Sequence, residues 1–177
     1  MLQLGEAQAE SLKLTYPALF ASLSPATSLI VSSPFRRTLQ TTLLGFESLL
    51  PPSSPALPLV LLPQVQECGS QPCDSGAPLH ETRPLFPDWI DWSEVEREPD
   101  WNTNRGFFDA EEGAQVARGL WVRRWLRERP EETIVVVSHH GFLRRIVKLP
   151  AKIGVVSHLL HLAGAEPGGV ERCGAES

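Results

Sequence analysis

Cysteine is scarce in this chain, with only Cys68, Cys73 and Cys173 among 177 residues. So few, so unevenly spaced, exclude a disulfide framework and a zinc knuckle, and leave reduced thiols in a reducing compartment as the simpler expectation. Long apolar runs are also lacking. The richest apolar stretch, residues 49–62, is cut by Pro51, Pro52, Pro55 and Pro58, which excludes a membrane-spanning helix. Met1-Leu2-Gln3-Leu4-Gly5-Glu6 has neither the basic nor the apolar region of a secretory leader, so a cytoplasmic location is expected. Positive charge is dispersed: the formal net charge is -5, and Arg36-Arg37, Arg123-Arg124 and Arg144-Arg145 are isolated pairs. A general nucleic-acid binder, which needs clustered cations against phosphates, is therefore excluded. The five histidines show no HExxH or other metal-ligand spacing, so no metal and no cofactor is expected.

What is present suits one folded domain. Hydrophobic residues make up 42% and charged residues 21%, and the length allows a substantial core. Residues 1–150 read as that domain. Residues 151–177 read as a divergent tail, with a short helix near Val155–Leu162 and a disordered end. Helix formers predict a helix from Gly5 to about Leu14, which Pro17 should kink or end. Strands are expected at Ser28–Val31, Pro58–Leu62 and Thr133–Val137, with Pro34 in the first turn of a helix running through Phe46. Between Gln66 and Asn104 lies an excursion carrying Trp89, Trp92 and Trp101, expected to pack over one edge of the sheet and shape a pocket. A helix should follow, opened by Asp109 and Glu112 in a capping-box-like arrangement and closed by Pro130. Its apolar face is expected at Leu120, Trp121, Trp125 and Leu126, with Arg118, Arg123, Arg127 and Arg129 solvated. A last helix is expected from Phe142. Helices alternating with strands imply an α/β fold with a mostly parallel sheet.

Ligands of such sheets sit at the carboxyl ends of strands, and two strand ends here are suggestive. Ile134-Val135-Val136-Val137 runs into Ser138-His139-His140-Gly141, and Ser28-Leu29-Ile30-Val31 runs into Ser32-Ser33-Pro34-Phe35-Arg36-Arg37. Arg37 could grip two phosphate oxygens in a planar fork near a helix start, while a lone arginine there is more often structural. His139 could donate to a phosphoryl oxygen, against the plainer reading of a histidine bonded to a nearby carbonyl. His140 is expected to line the site or support it. Glu67, just after the second strand, could protonate a leaving alkoxide, although solvated loop glutamates are common. Convergence of an arginine, an acid and a histidine beyond three strands raises all three.

These segments carry a resemblance. Ser33-Pro34-Phe35-Arg36-Arg37-Thr38-Leu39-Gln40-Thr41 resembles the Ser-Pro-Leu-x-Arg-Ala-x-Gln-Thr segment of the histidine phosphatase superfamily, the phosphoglycerate mutase-like proteins. Val136-Val137-Ser138-His139-His140-Gly141-Phe142-Leu143 resembles that family's second histidine motif. Leu4-Gly5-Glu6-Ala7-Gln8-Ala9 is similar to its Gly-x-x-Gln-Ala helix, and Gln66-Glu67 to its proton-donor loop. The order matches from about Leu4 to Val147, and the tryptophan-rich excursion resembles the fungal members. The resemblance implies a three-layer α/β sandwich acting on phosphorylated small molecules, with Arg37 gripping the phosphoryl group, His139 stabilising it and Glu67 donating a proton.

The family's nucleophile is the histidine of an Arg-His-Gly motif ending a first, central strand, and no Arg-His-Gly occurs in this sequence. The resemblance therefore implies a chain truncated at its N-terminus, lacking that strand, with phosphatase activity impaired. A non-catalytic member binding a phosphorylated metabolite or a protein partner is the alternative. Without the central strand, its two neighbours either close up and crowd the pocket or leave unpaired edges prone to aggregation. His140 also stands where the family usually has glycine.

Overall fold

A computed structural model describes residues 3–148; the tail expected beyond residue 150 lies outside the described residues. Three strands, β1 (Ser28–Ser32), β2 (Leu59–Leu61) and β3 (Thr133–Val137), form one parallel sheet in the order β2-β1-β3. Their β-branched and leucine side chains suit a strand covered on both faces, and every residue of β1 is buried. β1 and β3 pair in register from Ser28 opposite Thr133 to Ser32 opposite Val137. The strands before Arg37 and His139 have thus closed up against each other. Ser33 extends the ladder by donating its N–H to the Val137 carbonyl at 2.9 Å.

Side chains alternate across the sheet and divide the core into layers. Leu29, Val31, Ile134 and Val136 face the long helix α7 (Glu112–Glu128) and α8 (His140–Lys148) through Val122, Trp125 and Phe142. Ile30, Val135 and Val137 face the opposite layer, where Leu12, Phe20 and Phe46 come from the N-terminal helices and the end of α4 (Arg36–Gly45). This is the expected three-layer α/β arrangement. A third cluster sits at the β2 edge. There Trp92, Trp101, Ile90 and Val95 of the excursion pack on Phe35, Leu39 and Leu61. The excursion contains only short helices, the α-helical α5 (Leu79–Thr82) and α6 (Ser93–Glu96) with 3-10 turns at Pro72–Asp74 and Arg83–Leu85, and is held by its buried aromatics.

Several elements depart from the sequence reading. The first helix breaks into α1 (Gln3–Glu10), α2 (Leu12–Thr15) and α3 (Pro17–Ser22). Pro17 opens α3 at its first position, where its missing N–H costs nothing, instead of merely ending a helix. Pro34 lies before α4, whose N-cap is Phe35, and α8 begins at His140, two residues before Phe142. No capping box starts α7: Asp109 Oδ1 accepts from the Glu111 N–H, and Glu111 is the N-cap. The face of α7 is turned as well. Gln115, Arg118, Gly119, Val122 and Arg123 are buried, whereas Leu120 and Trp121 are exposed. Cys68 is a free thiol, as expected.

Candidate active site

Two segments meet at the carboxyl ends of β1 and β3. The turn Ser33-Pro34-Phe35 after β1 is fixed by the Thr38 hydroxyl, which donates to the Ser33 and Phe35 carbonyls at 2.9 Å each. That turn aims Arg37, in the first turn of α4, back over the sheet. Its Nη2 and Nε lie 3.0 and 3.3 Å from His139 Nδ1, and Nη1 donates to the Cys73 carbonyl at 2.7 Å. His139 follows β3 directly and is buried, with its ring edge-on to Phe35 at 4.7 Å. The Arg37 guanidinium also lies 4.7 Å from the Phe35 ring centre. Residues 102 positions apart in sequence are thereby in direct contact.

The tautomer of His139 follows from donor counting. A guanidinium has only donors, so Nδ1 must present its lone pair to Arg37. The proton of the neutral ring is then on Nε2, which donates to Ser33 Oγ at 2.9 Å. Burial is the main cause that holds the His139 pKa well below its usual value, and the guanidiniums of Arg37 and Arg118 add to it. The ring is neutral at pH 7. Arg37 is exposed as a residue, but its head is crowded by His139, Phe35 and the Cys73 carbonyl. Desolvation lowers its pKa, while the carboxylates of Glu67 and Asp74 oppose that shift.

Glu67 is half-buried and electrostatically coupled to Arg37, so all three residues singled out in the sequence converge. Its Oε1 accepts from the Cys68 N–H at 3.0 Å. It also lies against bare backbone at the start of α8, where a Cβ on Gly141 would come 2.5 Å from Oε1. An anion or carboxylate is favoured at such a helix N-terminus. The loop is tied from both sides. Ser138 Oγ donates to the Val65 carbonyl at 2.5 Å, and Gln115 Nε2 donates to the Cys68 carbonyl at 2.9 Å. Arg118 Nη2 donates to the carbonyls of Gln66 at 3.3 Å and Glu67 at 3.2 Å.

His140, the first residue of α8, is exposed. Arg36 is also at the surface, 3.6 Å from Glu81. Sequence reasoning missed Ser33 as the partner of His139, and it missed Arg118 altogether. Ser33 lies in the quoted motif, so its place beside the strand end was a usable signal. Arg118 was hidden because an arginine on a surface helix is ordinarily solvated. An open cavity of about 330 Å³ lies under the excursion, lined by Leu79, Val95, Pro99 and Trp101 among others, but none of Arg37, Glu67 or His139 lines it. The chemistry-bearing cluster, not this cavity, is the candidate site. Among the described residues no group of three or more His, Cys, Asp or Glu could hold a metal ion.

The three-layer α/β fold, with a parallel sheet whose strand ends bring an arginine and a histidine together beside a carboxylate at a helix start, defines the structural class. The family follows from comparison. The model of the histidine phosphatase superfamily (branch 1) matches residues 2–159, and the chain belongs to that superfamily. A Schizosaccharomyces pombe protein named as a probable phosphatase is 25% identical over 121 residues, covering 68% of this chain and 55% of its own length. Phosphoglycerate mutase-like protein 1 of Arabidopsis thaliana is 30% identical over 170 residues, covering 81% of this chain and 57% of its own length. The chain thus spans a little over half the length of these curated relatives. No solved structure matches it. Among the described residues, no helix is long and apolar enough to cross a membrane.

Proposed function

We propose that these residues form the phosphoryl-binding half of a histidine phosphatase site, able to hold a phosphomonoester but impaired in its hydrolysis. The carrying observation is the contact between Arg37 and His139 at the ends of neighbouring parallel strands. A phosphoryl oxygen pair fits the Arg37 fork, which now rests on the imidazole. The Nε2–H of His139, now given to Ser33, is the donor available to a third oxygen. Glu67 is the acid for a leaving alkoxide, held where Arg37 and the α8 N-terminus both act on it. Entry of the anion must part Arg37 from His139, which a closed-up β1–β3 pair makes costly.

Turnover is another matter. All five histidines, from His80 to His161, follow Arg37, and no Arg-His-Gly precedes it. In covalent catalysis the partners cannot replace the nucleophile, because residues acting as a unit lose most of their effect together. In this reading residues 1–177 by themselves do not turn over, and their ligand is a phosphorylated small molecule.

Calorimetry of the purified chain with inorganic phosphate, alongside an aryl phosphate hydrolysis assay, tests this. Binding that is lost in Arg37→Ala and His139→Ala, with no hydrolysis above the buffer rate, is expected. Hydrolysis at rates typical of enzymes (roughly 1 per second or more) that disappears in His139→Ala would overturn the impairment. Absence of any phosphate binding would overturn the site.

A further inference from the structure

Among the described residues Arg118 is the largest fully buried side chain, and it lies in the middle of α7. Burying a cation is costly even with acidic groups nearby, so its retention calls for a reason. Only Nη2 is used, on the carbonyls of Gln66 and Glu67, while Nε and Nη1 have no hydrogen-bond partner. The flat face of the guanidinium lies 4.8 Å from the ring centre of Phe142, the third residue of α8. Arg118 therefore touches both elements that set Glu67: the loop bearing it and the helix whose start it abuts. The buried amide of Gln66, whose nitrogen and oxygen are likewise unpartnered, belongs to the same loop.

We propose that Arg118 is a positioning residue of the anion site, clamping the Gln66–Glu67 backbone against α8 and adding a second fixed positive charge behind Arg37 and His139. This rests on the phosphate-binding reading above. Two features of the structure join in it. The hydrogen bonds and the contact with the Phe142 ring fix where the loop lies, and the guanidinium, although attracted to the Glu67 carboxylate, also acts on His139, whose protonation it opposes. Lysine would keep the charge and lose the fork; methionine would lose both while filling similar volume.

The full chain and its Arg118→Met and Arg118→Lys variants are compared by calorimetry with inorganic phosphate and by NMR titration of the His139 imidazole. Arg118→Met is expected to weaken phosphate roughly tenfold or more, about the worth of one charge-assisted hydrogen bond, and to raise the His139 midpoint. Arg118→Lys is expected to weaken phosphate while leaving that midpoint near its original value. A folded Arg118→Met with unchanged phosphate affinity and an unchanged His139 midpoint would overturn the proposal. Should Arg118→Met fail to fold, Arg118→Lys decides, because a merely structural arginine predicts no loss of phosphate affinity in a variant with a native melting curve. If the parent chain binds no phosphate, the phosphate-binding reading fails. Amide exchange at Gln66–Cys68 then decides the clamp, which stands if exchange quickens in the variants and falls if it does not.

Discussion

At the scale of single residues, the decisive contact is the one between two groups that would each prefer to be a donor. Arg37 forces His139 to offer its Nδ1 lone pair, and Ser33 receives the remaining ring proton. The consequence is a pH dependence with a definite sign. The folded His139 pKa is depressed, so as pH falls below about 6.5 the unfolded chain takes up a proton that the folded chain refuses. Stability from this group is present near neutrality and is lost on acidification, by up to about 1.4 kcal/mol per pH unit, until the depressed folded value is reached. His139→Gln, which cannot titrate, should show a shallower loss between pH 7 and pH 5 in urea unfolding. Equal slopes in the two proteins would rule out a buried neutral His139.

At the scale of elements, α8 and the loop after β2 behave as one device. The loop delivers a carboxylate to the start of α8, and Gly141 leaves the room for it. A methyl group there would also lie 3.2 Å from Cys68 Sγ. Gly141→Ala should gain helix propensity of about 1 kcal/mol and spend it on moving the flexible Glu67 side chain. The expected outcome is a melting temperature within a few degrees of the parent, together with a change in phosphate affinity. A large loss of stability would show that Glu67 is held more rigidly than its half-buried state suggests. α7 carries the complementary lesson, since a helix whose exposed positions include Leu120 and Trp121 buries two arginines instead.

At the scale of the whole molecule, direct pairing of β1 with β3 closes the sheet and joins the two helical layers through a single buried strand. The excursion is fastened to the same body, because Trp92 and Trp101 pack with Phe35 and Leu39 of the α4 start and Leu61 of β2. Unfolding should therefore be one cooperative event. Ile30→Ala, in the fully buried strand, should cost about 2–5 kcal/mol. It should shift the tryptophan fluorescence and far-ultraviolet circular dichroism transitions together. Separate transitions would show that the excursion folds apart from the sheet.

Strand positions, the parallel α/β class and the segments bearing Arg37, Glu67 and His139 were legible in the sequence, because β-branched runs ending in polar turns are local signals. Helix boundaries near Pro17 and Pro34 were half legible: proline marks a discontinuity, but the chain geometry decides whether it ends one helix or begins another. The face of α7 was not legible, since hydrophobicity favoured Leu120 and Trp121 while the buried loop carbonyls of Gln66 and Glu67 drew Arg118 inward. Nor could the sequence state that Arg37 rests on His139. That contact depends on β1 and β3 lying side by side. Motif resemblance in the sequence pointed to the family, and spacing to the chemical groups on offer. Only the tertiary structure decided how they meet, because strand order and the partners of buried polar atoms are set by the whole packed chain.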